Sequence, residues 1–163
     1  MIDKALLDKL FQQAAEHPRQ RMNLDLRTSP EDHSQQMLNA LLPGTQVPIH
    51  RHPNSNENVI LLTGRMEEIL YEEVACQAPG APGQGTPQRL GCPGTAHQVR
   101  LREVGRIHLC PAEGRYGCQV PKGVWHNVEV VEPSVIYEGK DGPYGSDGSE
   151  TFEAYQARQG ASS

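Results

Sequence analysis

Three residues near the middle of the chain have the types and spacing of metal ligands. His50 and His52 are two apart, so on a strand both imidazoles leave one face while Arg51 leaves the other. Pro53-Asn54-Ser55-Asn56 then supplies a turn that returns Glu57 beside them. Two imidazoles and a carboxylate on one face form part of a divalent-metal shell. A fourth candidate, His126, follows Pro121 and Gly123. A type I turn with Pro121 second and Gly123 fourth would lead into a strand carrying His126, Val128 and Val130 on one face. Gly44 and Gly64 frame the first group. At the chain's own composition, Gly, His, His, Glu and Gly fall at these offsets in roughly two of ten thousand sequences of this length. The competing reading of the trio, a polar strand pair on a solvated surface, makes no use of that spacing. His17, His33, His97 and His108 have no such context and read as surface or satisfied core residues.

The elements that must position these residues are mostly strands. Residues 3 to 16 place Leu6, Leu7, Leu10, Phe11 and Ala14 on a helical stripe, with Asp3 as cap and His17-Pro18 as the stop. Beyond it, short runs bounded by Gly, Pro and Asn predict strands near 21–26, 35–42, 46–51, 57–63, 65–73, 98–109, 117–120, 124–130 and 134–140. Leu42-Pro43-Gly44-Thr45 and Thr63-Gly64-Arg65 read as turns between neighbours. The Gly/Pro-rich stretch 75–97 is either a lid over a site or an exposed hairpin extension. The tail from Gly142 is polar and reads as poorly ordered beyond about Phe152. Trp125 faces away from His126 and is expected to pack between the barrel and another element.

With 163 residues and a net charge of -5, the chain fits one domain able to bury a core without disulfides. Fifteen basic residues against twenty acidic ones, with no basic run, argue against a nucleic-acid partner. The longest apolar runs are too short to span a bilayer, so no membrane association is expected. The N-terminus lacks the pattern of a signal peptide, and the four cysteines lack Cys-x-x-Cys spacing, so a reduced, cytoplasmic protein is expected. A homodimer through edge strands is an open option, with the N-terminal helix as an alternative cover for such an edge.

The segments Gly44–Gly64 and Pro121–His126 resemble the two sequence motifs of the cupin superfamily. The first matches every fixed position. The second keeps Pro-x-Gly-x-x-His but has Arg115 where the pattern begins with Gly and Val130 where it ends with Asn. More narrowly, Arg21-Met22-Asn23, His50-Arg51-His52-Pro53 and Glu138 to Tyr144 resemble the WbuC-type cupin-fold metalloproteins. The resemblance implies an all-β double-stranded β-helix, a jelly-roll barrel with a short N-terminal helix. It implies a metal bound by His50, His52, Glu57 and His126, of identity Fe, Mn, Ni, Co or Zn. The expected division of the chain is a helical extension (1–20), a cupin barrel (21–144) and a flexible polar tail (145–163). Arg21, Asn23, Asn39, Lys140 and Tyr144 are candidates for binding a substrate's carboxylate or phosphate, with surface ion pairing as the alternative. The expected function is a metal-dependent enzyme, an oxygenase or an isomerase-type cupin, acting on a small polar or anionic metabolite. The family association adds a sugar derivative as one option. The alternative is a non-catalytic module that senses a small molecule or metal.

Overall fold

The computed structural model describes residues 1–75, 99–142 and 147–161. Most of the 75–97 segment, Tyr144, Cys76, Cys92 and His97 lie outside these residues. Helix α1 (Lys4–Glu16) is capped by Asp3, whose side chain accepts from Leu6 N–H, and stops at His17. Its apolar stripe lies on the outer face of strands β1 (Arg21–Asp25) and β2 (Ser34–Leu41), where Leu10 and Ala14 pack with Leu38, Ala40 and Val135. β2 is therefore covered on both faces. Leu38 and Ala40 meet the helix, while Met37, Asn39 and Leu41 turn inward.

Two long antiparallel strands, β4 (Glu57–Ala75) and β7 (Trp125–Asp141), run through both walls of the barrel. In one wall, the first half of β4 pairs with the second half of β7, flanked by β2 and β1 on one side and β6 (Gly117–Val120) on the other. In the other, the second half of β4 pairs with the first half of β7. That wall is flanked by β5 (Val99–Leu109) on one side, and by β3 (His50–Arg51) and β8 (Glu150–Thr151) on the other. Leu41, Val59, Leu61, Met66, Leu109, Val130 and Ile136 fill the interior at one end. This all-β, twice-wound arrangement is a double-stranded β-helix, the jelly-roll barrel of cupins, with one N-terminal helix.

The expected turn at Thr63-Gly64-Arg65 does not separate two strands. Gly64 lies within β4, with φ of 99°, where register shifts bend the strand from one wall into the other. A Cβ there would stand 2.3 Å from Pro133 O and 2.4 Å from Ser134 Oγ, so only glycine allows β7 to cross this close. The strand expected at 46–51 shortens to His50–Arg51. Pro48, with no N–H to give a ladder, stands just before it.

Where composition suggested a flexible tail, the structure has β8 followed by helix α2 (Phe152–Ala161). Phe152 and Tyr155 are one turn apart and both meet Trp125, with ring centroids 5.2 and 5.4 Å away. Arg51 lies between the rings of Trp125 and Tyr155, 4.3 and 4.7 Å from their centroids, and pairs with Glu73 and Glu150. Trp125 is 2% exposed and donates to Glu73, so it joins barrel and helix as its orientation implied. Cys110 and Cys118 are free thiols. No helix among the described residues is long and apolar enough to cross a membrane.

Replacing Gly64 with alanine is expected to destabilise the protein by at least about 2 kcal/mol, since a left-handed backbone and a backbone clash add together. Urea denaturation checks this. A variant within about 0.5 kcal/mol of wild type would show that the bend does not depend on the missing side chain.

Candidate metal centre

β3, the loop after it and the start of β4 bring His50, His52 and Glu57 to one end of the barrel, and the start of β7 adds His126. His50 and His126 sit opposite each other across the β3–β7 ladder. One ligand atom from each of the four residues lies within 4.8 Å of all the others. The imidazole centroids are 4.2 to 5.3 Å apart. His52, Glu57 and His126 are 5%, 3% and 2% exposed. The turn before His126 differs from the expected register. Val124 N–H bonds Pro121 O, so the turn begins at Pro121 and Gly123 takes the third position with φ of 80°. Gly123 N–H also donates to His52 O and fastens this turn to the other ligand strand.

The hydrogen bonds around the rings decide where their lone pairs point. His50 Nδ1 lies 2.9 Å from Pro48 O, and His126 Nδ1 lies 2.9 Å from Val124 O. A carbonyl only accepts, so both rings carry the Nδ1 proton and turn a bare Nε2 inward when neutral. Glu57 Oε2 stands 3.0 Å from the Nε2 of both His52 and His126. Lone pairs converging at such distances need a cation among them. These four residues fit a divalent transition metal, which would accept a pair from each.

His52 has a more elaborate partner. Its Nδ1 lies 2.6 Å from Ser149 Oγ, 2.8 Å from Lys140 Nζ and 3.4 Å from Asp147 Oδ2. Ser149 donates its hydroxyl proton to Asp147, which also pairs with Lys140 at 2.8 Å. An ammonium cannot accept, so a Lys140 proton aimed at Nδ1 requires the tautomer with Nε2 protonated. Ligation through Nε2 selects the other arrangement, in which His52 donates to Ser149 and Lys140 serves Asp147.

Charge follows the same geometry. Burial and the neighbouring His126 push His50 down to about 4. Burial opposes ionisation of Glu57, yet its close contacts with His126 and His52 hold it well below the usual carboxylate range. Asp147 is down to about 2, burial being outweighed by Lys140 and Ser149. All three are thus in the form that binds or supports a cation at neutral pH.

A cavity of about 380 Å³ opens beside the quartet. Arg21, Asn23, Asn39 and Lys140 all line it. Asn39 donates to Glu138, Asn23 Nδ2 lies 3.5 Å from Met37 Sδ, and Arg21 reaches Gln46 O. Lys140, only 8% exposed, is engaged with Asp147 and His52 rather than turned into open space. Tyr144 lies outside the described residues. Sequence reasoning missed Asp147 and Ser149, because a Gly/Ser-rich run carries no periodicity to place them. It also missed Glu68, although counting by twos from the core residue Met66 leads to it. His108 has carboxylate partners in Glu67 and Glu113.

The sequence of residues 2–77, less than half of the chain, matches a family described as a domain of unknown function (DUF6016). That span contains His50, His52 and Glu57 but not His126. No curated protein matches the sequence. Among solved structures, TT1209 from Thermus thermophilus is similar at a TM-score of 0.50 and 17% identity, over 87% of this chain and 96% of that one. The Cnp3 cupin domain of Schizosaccharomyces pombe gives 0.43 and 12%, over 86% and 72%. An oxalate oxidase in complex with the substrate analogue glycolate gives 0.44 and 16%, over 83% and 57%. The chain thus spans little more than half the length of that oxidase. At these identities the likeness concerns the fold, which TT1209 shares across nearly its whole length.

In the metal-free protein His50 contributes stability that rises with pH between about 4 and 6.5, where the unfolded ring binds a proton that the folded one refuses. The contribution amounts to about 3 kcal/mol. Glu68 and Glu138 act in the opposite sense, since burial and the charge of Glu57 raise both carboxyls, Glu138 to about 8. Denaturation of chelator-treated wild type and His50→Gln at several pH values isolates the His50 part: wild type should gain stability relative to the variant as pH rises through this window, and a constant difference would refute it.

Proposed function

We propose that this chain is a metal-binding cupin that acts on a small anionic metabolite. His50, His52, Glu57 and His126 would hold a divalent transition metal, one of Fe, Mn, Ni, Co or Zn. The observation that carries this reading is the convergence of three imidazole nitrogens on Glu57, two of their rings fixed by backbone carbonyls. Three histidines and one carboxylate leave coordination positions open, so a bound metal would supply Lewis acidity or, if redox-active, dioxygen chemistry.

The protein's own residues would do the rest. Arg19 and Arg21 put two cations on the cavity wall; burial first, and then the charge of Arg19, lower the Arg21 guanidinium, with Glu138 acting against them. An anionic group on the ligand would answer them. Asn23 and Asn39 add amides on the same wall. Lys140, Asp147 and Ser149 would orient His52 and keep its charge balanced. The WbuC-type resemblance, the division at residues 20 and 144, a cytoplasmic setting, a homodimer and a sugar-derived substrate belong to this proposal. The sequence motifs and the acidic composition support it.

Protein purified without added metal is expected to carry stoichiometric transition metal by mass spectrometry. His50→Ala and Glu57→Ala should lose it while keeping the β-sheet circular dichroism of the parent. Ser149→Ala, which removes the hydroxyl nearest His52 Nδ1 together with its bonds to Asp147 and Lys140, should weaken metal affinity about 10- to 100-fold. Full metal content in either ligand variant would refute the assignment.

A further inference from the structure

The cavity beside the quartet holds two carboxyls that the metal reading does not use, and they differ in how they are satisfied. Glu138, on β7, accepts from Asn39 and faces the charges of Lys140 and Arg21. Glu68, on β4, is 1% exposed, and neither of its oxygens has a hydrogen-bond partner among the described residues. Both line the cavity. The register places them symmetrically. Glu68 is opposite Val128, two residues beyond His126, and Glu138 is opposite Val59, two residues beyond Glu57. Each therefore lies one strand across from a residue that is about 7 Å along its own strand from a member of the quartet, one on each wall. One small molecule touching the quartet can reach both.

An unpartnered buried carboxyl is costly wherever it serves only packing, and a leucine would fill the same place without that cost. Beside Val59, Val128 and Ile136, Glu68 makes sense as a group awaiting a ligand. A hydroxyl suits it best, since it donates to a carboxylate and accepts from a carboxylic acid. Burial and the charges of Glu57 and Glu138 both push Glu68 well above the usual range, so a partner able to play either part is needed. The cations lining the cavity are Arg19, Arg21 and Lys140, the last already paired with Asp147.

We infer that the cavity selects a polyhydroxylated carboxylate, its anionic group answered by the arginines or the metal and its hydroxyls by Glu68 and Glu138. This rests on the metal-binding reading above and adds the class of substrate to it.

The test uses the full chain loaded with Mn²⁺, with metal content measured in every sample. Binding of D-gluconate and of hexanoate, which has the same carbon count and charge but no hydroxyls, is followed by calorimetry. Gluconate is expected to bind at least about ten-fold more tightly, roughly the worth of one well-made hydrogen bond to a buried polar group that otherwise has no partner. In Glu68→Leu, that preference should fall at least about ten-fold while metal content holds and the unfolding temperature rises. Glu68→Gln, which keeps two hydrogen-bonding groups in place, should retain both metal and preference. The inference is overturned if metal-loaded wild type shows no preference for gluconate, or if Glu68→Leu keeps it. It is equally overturned if Glu68→Leu is less stable than wild type or does not fold, because the carboxyl would then be structural. A wild type that binds no metal defeats the metal reading instead, and the metal measurement separates the two.

Discussion

The pairing of β4 with β7 is the constraint on which the rest depends. One ladder, bent at Gly64 and opposite Pro133-Ser134, builds the middle of both walls. It also sets the site. Glu57 begins β4 and His126 is the second residue of β7, so the two belong to different walls and meet only because both strands cross between walls. A slip of one residue in this register would turn the site residues of one of the two strands out of the barrel, either Glu57 and Glu68 or His126 and Glu138.

The apolar interior and the polar cavity divide the same barrel. Leu61, Met66, Leu109 and Val130 fill the apolar part. In the cavity, histidines, carboxyls, amides and cations share the inward positions with Val59, Val128 and Ile136. A barrel that needed only stability would continue its valines and leucines. Here the polar half carries charge that the apolar half must support, a trade often made where a ligand is bound.

Much of this was legible in the residues. The His50-x-His52 alternation and the turn to Glu57 state their own geometry, because strand periodicity is local. The helix over 3–16 could be read from its stripe and its Asp3 cap. Other features depended on distant partners. Gly64 reads as a turn in one dimension, and only the approach of Pro133 shows that it bends a continuing strand. Lys140 looked free to meet a substrate until Asp147 and Ser149 were seen to claim it, and nothing local marks those two. Phe152 and Tyr155 stand in a polar stretch, where two aromatics sufficed to dock α2 on Trp125.

The contact between Ser149 and His52 joins residues 97 positions apart. β8 supplies the outer neighbour of β3, and β3 is only two residues long. A chain emerging from the ribosome therefore holds all four candidate ligands well before it holds the segment that squares His52 and covers the ligand strand. Loops this long close late. The orientation of His52, and with it the geometry of the whole quartet, therefore rests on β8 docking beside β3, a contact of long sequence separation.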